Sequence, residues 1–299
     1  MPGYSHRPPQ PPIASPFGRC GSVEPVNLPM SATLVRTAEL LADQWWTTAL
    51  EGVTQGAVYA LLAIACTRRD RVVDLVPLTA FTLGLFTAYL TYATLGFRPG
   101  PTPVFDSVTA FALLVALVVT VAVAVATSSL RGHFLVGLGV FAVVQAAVRL
   151  LRGASPELPL RLFRPHELFP GFDTVQLTVV VAASLALTIT LRQTVPPFVA
   201  AGTLTGVAAF LYLLKVPGAA WYLTAVLVGA YAVTAALLAR TPRGMITTAL
   251  ALGIVQVCFE TFVGARWWLP FSLGLLALAA AYRFLRTRFA LRGKPVAVV

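Results

Sequence analysis

Apolar residues in this chain come in long blocks divided by short polar stretches, with no sustained alternation. The blocks cover about 47–66, 72–95, 107–127, 134–151, 174–191, 197–214, 221–239, 245–263 and 268–285. Several reach the roughly 18–20 residues that a helix needs to cross a hydrocarbon core of about 30 Å. In lipid each backbone polar group must be satisfied internally, which blocks of this length achieve as helices. The pattern predicts an all-α fold, a polytopic transmembrane bundle of about 8–10 helices. In the second block Asp74 and Pro77 fall near the start. That placement predicts a helix interrupted at membrane depth, where it must line a cavity or be buried in protein. The short 134–151 block reads as tilted or partly re-entrant.

The first block, LEGVTQGAVYALLAIA at 50–65, is the most patterned. Gly52, Gly56 and Ala60 recur every four residues and so share one helix face, where another helix can approach closely. Glu51 and Gln55 lie one turn apart in the same segment. The cluster Arg68, Arg69, Asp70 and Arg71 then ends the block and drives the chain toward water or headgroups.

Residues 1 to about 30 are rich in Pro, Gly and Ser and lack both an apolar run and a signal-peptide core. They read as a disordered tail, with Met30 an alternative start of translation. Residues 32–46 read as an amphipathic lead-in whose Trp45 and Trp46 sit at the membrane interface. The chain is thus divided into a tail and lead-in (1–45), a membrane domain (46–290) and a short basic end (291–299).

Composition removes the soluble alternatives. Of the 299 residues 58% are hydrophobic and 11% charged, against about 25% charged in a soluble domain. The net charge of +11 would raise the question of nucleic acid in a soluble protein. Here the cations fall in the connections and at the C-terminus, which suits the positive-inside bias and anionic headgroups, so the bilayer and not nucleic acid is the expected partner. With nine crossings, Arg68, Arg69, Arg71, Arg131, Arg192, Arg240, Arg243 and the C-terminal cluster share one side; the N-terminal tail, the connection charges Arg98, Lys215 and Arg266, and the 152–173 loop, whose Arg152, Arg161 and Arg164 are partly balanced by Glu157, Glu167 and Asp173, fall on the other, so the dense C-terminal cluster decides. This places the C-terminus in the cytoplasm and the chain in the cytoplasmic membrane.

Chemistry-bearing motifs are sparse. Cys20, Cys66 and Cys258 are isolated, and His6, His133 and His166 are scattered, so neither metal-ligand spacing nor a cofactor site is expected. No GxSxG, HExxH or GxxxxGK[ST] occurs. The chain is not expected to be an enzyme, and any ATPase would be a separate subunit. The informative residues are polar ones inside apolar blocks, because a charge at the bilayer centre costs roughly 2.5–3.5 kcal/mol on insertion scales. These are Glu51, Asp74 and Glu260, with Gln55, Gln145 and Gln256. Each has a structural alternative. Glu51 can lie at the interface, and Asp74 can pair with Arg71 at a membrane edge. The glutamines can bond across helices at roughly 0.6–2 kcal/mol each. Glu260 can be an interhelical acceptor in place of a ligand contact.

GVTQGAVYALLAIACT at 52–67 resembles the first conserved block of the permease subunits of branched-chain amino acid ABC importers, with Gly56, Tyr59, Ala60, Leu61 and Thr67 matching. GLGVFAVVQ at 137–145 is similar to a later helix of that family through Gly139, Val140 and Gln145. The stretch 227–261 looks like its late block of two helices joined by a short Gly-bearing turn, with Gly244, Gly253 and Glu260 in place. The resemblance spans roughly 50–293. It implies a permease-type subunit that pairs with a second permease chain, an ATPase and an extracytoplasmic solute-binding protein. It also implies a substrate path with Gln55, Tyr59, Gln145, Gln256 and Glu260 as candidates, and Gly139 and Gly253 as packing positions beside Gly52, Gly56 and Ala60.

Two departures accompany the resemblance. The family's Asn-Phe-Ala-His-Gly motif is replaced here by Pro77, Leu78, Thr79, Ala80 and Phe81. The family's ATPase-docking loop is reduced to LRQTVPPF at 191–198. Two readings therefore stand: an ABC importer permease, or a permease-derived accessory, scaffold or ATP-independent carrier.

Overall fold

The computed structural model describes residues 30–67, 73–95, 107–128, 134–152, 167–169, 171–192, 196–216, 223–239, 241–264 and 267–292, with side chains described between Trp45 and Thr287, those of Phe134, Arg152 and Phe169 excepted. The tail, the 68–71 cluster, Arg98, Arg131, Arg240, Arg266, Cys20 and all three histidines lie outside these residues. Two compact units divide the chain, Met1–Asp43 and Gln44–Val299; apart from the start of the first helix, everything below concerns the second.

Nine helices occur among the described residues: α1 (Met30–Ala65), α2 (Val76–Thr94), α3 (Ser107–Ala126), α4 (Phe134–Arg152), α5 (Thr174–Arg192), α6 (Pro197–Lys215), α7 (Thr224–Leu238), α8 (Pro242–Val263) and α9 (Trp268–Arg292). Seven, all but α4 and α7, are long and apolar enough to cross a membrane, with the α1 span beginning at Trp45. The chain is a multi-pass helical membrane protein. Two short strands, β1 (Glu167–Phe169) and β2 (Phe172–Asp173), form a hairpin before α5. Its turn residue Gly171 has φ +80, and a Cβ there would strike the Thr47 side chain.

Three sequence expectations are corrected. Pro77 does not interrupt α2. It occupies the first turn, where no intrahelical N–H is lost, and Asp74 Oδ1 accepts from Val76 N at 3.0 Å just ahead of it. Of the two expectations for the 134–151 block, the re-entrant one is corrected, since the block is one continuous helix, Phe134–Arg152. Gly244 is not part of an interhelical turn: Thr241 caps α8 by accepting from Gly244 N at 3.1 Å, and Pro242 opens the helix.

The core belongs to α1, α2, α6 and α7. About two-thirds of the α1, α2 and α6 spans is buried, against 11% for α9. Helices α2, α3 and α6 pack against one another, and small residues let them meet. A Cβ on Gly206 would lie 3.1 Å from Leu117 Cα, one on Gly202 2.8 Å from Val121 Cα, and one on Gly84 2.6 Å from the Thr120 methyl. Helices α1 and α8 meet in the same way, since a Cβ on Gly56 would fall 2.6 Å from Leu250 Cα and one on Gly253 2.7 Å from Gly56 Cα. Without a hydrophobic force between helices in lipid, such close backbone contact is what holds them together. Gly139 takes no part: it is exposed, with nothing within 4 Å of its Cβ direction, whereas Gly137 faces Leu75 two residues earlier.

Candidate functional site

Helices α1 and α8 carry their polar side chains to the face on which their glycines meet. Gln55 lies ten residues from either end of the Trp45–Ala65 span, about 15 Å along the axis each way and thus at mid-depth. Its Nε2 donates to Tyr59 Oη at 2.9 Å, and the Tyr59 hydroxyl donates to Gln256 Oε1. Gln256 Nε2 then donates to Glu260 Oε1 at 2.6 Å. Every donor in this chain points the same way, and the series ends on a carboxylate. Bonds arranged head to tail polarise one another, and the terminal acceptor receives the summed dipole.

A second group joins Glu51, one turn before Gln55 on α1, to the start of α5 and the end of α6. Lys215, the last residue of α6, has a side chain only 5% exposed, and its Nζ lies 3.1 Å from Glu51 Oε1. Glu51 Oε2 accepts from Gln176 Nε2 at 2.8 Å. The Gln176 amide is aimed by a capping box at the start of α5: its Oε1 accepts from Asp173 N at 3.1 Å, while Asp173 Oδ1 accepts from Gln176 N at 2.7 Å. The carboxylates of Glu51, Glu260 and Asp173 all act electrostatically on the Lys215 ammonium. The α7 side is closed by Tyr231, whose ring stacks on Tyr59 at 5.2 Å with planes 10° apart, and Tyr212 of α6 approaches Gln55. Five helices thus deliver one polar column, from the Glu51–Lys215 level to mid-membrane.

Of the residues singled out by sequence, Gln55, Tyr59, Gln256 and Glu260 come together. Gln145 does not. It sits on α4 and donates to Thr82 Oγ1 of α2 at 2.8 Å, away from the column. The direct bond to Glu260 comes from within its own helix, not from another one. Sequence reasoning missed Gln176, Tyr212 and Tyr231, and counted Lys215 as a connection charge. For Lys215 a signal existed: it directly follows an uncharged block whose helix has room for it. For the other three, only the packing identifies them. Cys66 is fully buried, and burial, followed by the Asp74 carboxylate, pushes its thiol pKa up, as suits a core thiol. Among the described residues no group of His, Cys, Asp or Glu is placed to hold a metal. No protein-family model, curated protein or solved structure matches the chain.

Proposed function

We propose that the chain is a permease-type membrane subunit for small solutes, and that the column from Lys215–Glu51 to Gln55–Tyr59–Gln256–Glu260 contacts the solute. The observation that carries this reading is the one-way hydrogen-bond chain at mid-depth. Polar groups at that level are costly and, when clustered across helices, mark pathways more often than packing alone requires. The order of motifs resembling the branched-chain amino acid ABC importer permeases adds support, and with it an ATPase, a second permease chain and a solute-binding protein as partners. On the same reading the membrane is the cytoplasmic one, with the C-terminus inside; an active C-terminal alkaline phosphatase fusion would reverse that.

One observation favours a second reading. Helix α5 ends at Arg192 and α6 begins at Pro197, so four residues join them, too few for a helix that docks on an ATPase. A permease-derived carrier or accessory subunit that works without ATP fits this link. Proteoliposomes decide. Solute uptake that needs a co-purifying ATPase supports the importer, and uptake without ATP supports the carrier. Absence of flux for branched-chain amino acids and related small solutes under both conditions overturns the permease reading. Gln256→Leu should abolish flux in whichever system transports.

A further inference from the structure

A crevice of about 510 Å³ opens on the flank of the bundle between α2, α4, α7 and α9. Its lining is aliphatic and aromatic throughout, including Leu78, Phe141, Gly229, Val233, Leu276 and Ala277. It is separate from the polar column. The mouth faces the membrane, since Leu138 on α4 and Leu273 on α9 remain 44% and 43% exposed on its two rims. Gly229 keeps the floor open: any side chain there would begin 2.8 Å from Leu78 Cδ1.

The crevice does not stand alone. At Leu237, near the end of α7, it adjoins a second hollow of about 250 Å³ that shares this residue. There the chemistry changes, with Thr67, Tyr282, Arg283, Arg286 and Thr287 lining the walls. Along α9 the sequence passes from Leu273 in the apolar part to Arg286 in the basic part, thirteen residues or about 20 Å of helix. That is about one leaflet of hydrocarbon plus the start of the headgroup layer. Helix α9 therefore offers an acyl-chain slot and a cationic headgroup seat in series, at matching depths.

We propose that this composite groove is a binding site for an anionic phospholipid. One acyl chain occupies the crevice between α4 and α9, and the phosphate sits against Arg286 and Arg283 with Tyr282 beside it. The arginine stems cover apolar surface while their guanidinium groups reach the headgroup layer. Guanidinium also suits phosphate better than an ammonium does, because its fork makes two parallel bonds to the oxygens. The occupant is identified by charge complementarity: the exposed Arg286, with Arg283 beside it, makes the hollow basic, which an anionic headgroup matches and a neutral one does not, and a second basic chain like this one would bring more cations to the same place.

The test is native mass spectrometry of the full chain released from vesicles of equal phosphatidylglycerol and phosphatidylcholine content. The expected result is a single retained phosphatidylglycerol per chain. Arg283→Gln with Arg286→Gln should lower that preference by roughly tenfold to thirtyfold, whereas Arg192→Gln, at the end of α5 and outside the groove, should leave it unchanged. Ala277→Phe with Ala280→Phe, on the exposed rim, should fill the slot and remove bound lipid of either kind. Equal retention of the two lipids, retention unaffected by the double arginine variant, or a second copy of the chain in place of lipid would overturn the proposal. Should the phenylalanine variant fail to fold, the arginine pair still decides.

Discussion

The Lys215 ammonium is held twice by one residue of another helix. It lies 3.1 Å from Glu51 Oε1 and donates at 3.0 Å to the Glu51 main-chain carbonyl. The two partners are not equivalent, because Lys215 is 5% exposed and Glu51 43%. Desolvation falls chiefly on the cation, and the carboxylate compensates for it from the more exposed side.

This asymmetry sets the first prediction. Removing the carboxylate's charge leaves a buried ammonium with neutral acceptors and no ion-pair partner in contact, whereas removing the ammonium leaves a carboxylate that still accepts from Gln176. Glu51→Gln should therefore destabilise more than Lys215→Met. For a fully buried pair, loss of one partner costs about 3–5 kcal/mol; with Glu51 this exposed, about 1–3 kcal/mol is expected. The double variant should recover part of the loss. Unfolding in detergent, followed by tryptophan fluorescence, compares the three, and equal losses for both single variants would refute the asymmetry.

The glycines give a sharper contrast. At Gly56 and Gly253 a side chain would enter the backbone of the facing helix, so Gly56→Leu or Gly253→Leu must push α1 and α8 apart and break the Tyr59–Gln256 bond with them. Overpacking of this kind costs about 1–3 kcal/mol, or more where backbone is struck. Gly139→Leu meets nothing within 4 Å and should be tolerated, with a slight gain in helix propensity. Expression and size-exclusion profiles in mild detergent distinguish them. A loss at Gly139 as large as at Gly56 would contradict the packing described.

How far the sequence was legible follows from what each signal reports. Block length reports the number and placement of helices, and the nine apolar blocks became nine helices because lipid leaves the backbone little else to do. Of the four-residue series Gly52, Gly56 and Ala60, the two glycines lie where α1 meets α8, and the same spacing recurs at Gly202 and Gly206, where α6 meets α3. Pro77 misled because a proline's effect depends on its distance from the helix start, which a hydrophobic block does not define. Gly139 was carried over by resemblance, yet Gly137 faces inward; two helical positions are about 200° of rotation. The polar column was half visible. Gln55, Gln256 and Glu260 stand out against apolar neighbours, whereas tyrosines and a terminal lysine do not, and which of them converge is a property of packing.

The internal bond between α1 and α8 can be weighed directly. Tyr59→Phe removes the donor to Gln256 and the acceptor for Gln55 while keeping the ring stacked on Tyr231. Gln256→Met removes the other partner at similar volume. Interhelical hydrogen bonds in membranes average about 0.6 kcal/mol and reach about 1.7; this one lies in a polarised series, so a coupling toward the upper value is expected from the double-mutant cycle. A coupling near zero would mean that the series contributes no cooperative stability.

Gln145 supplies the control for function. Its amide joins α4 to α2 through Thr82, in a buried pair whose Oε1 has no partner. The bond resembles the Tyr59–Gln256 contact in kind but lies outside the column. Gln145→Leu should cost about 0.6–1.7 kcal/mol of stability, offset in part by removal of the unsatisfied oxygen. Thr82→Val should behave alike, and the two together should be less than additive. Neither should alter solute flux per folded molecule, whereas Gln256→Leu, with a comparable stability loss, should abolish it. Proteoliposome uptake normalised to folded protein separates these outcomes. Loss of flux in Gln145→Leu equal to that in Gln256→Leu would move the solute path to the α2–α4 side of the bundle.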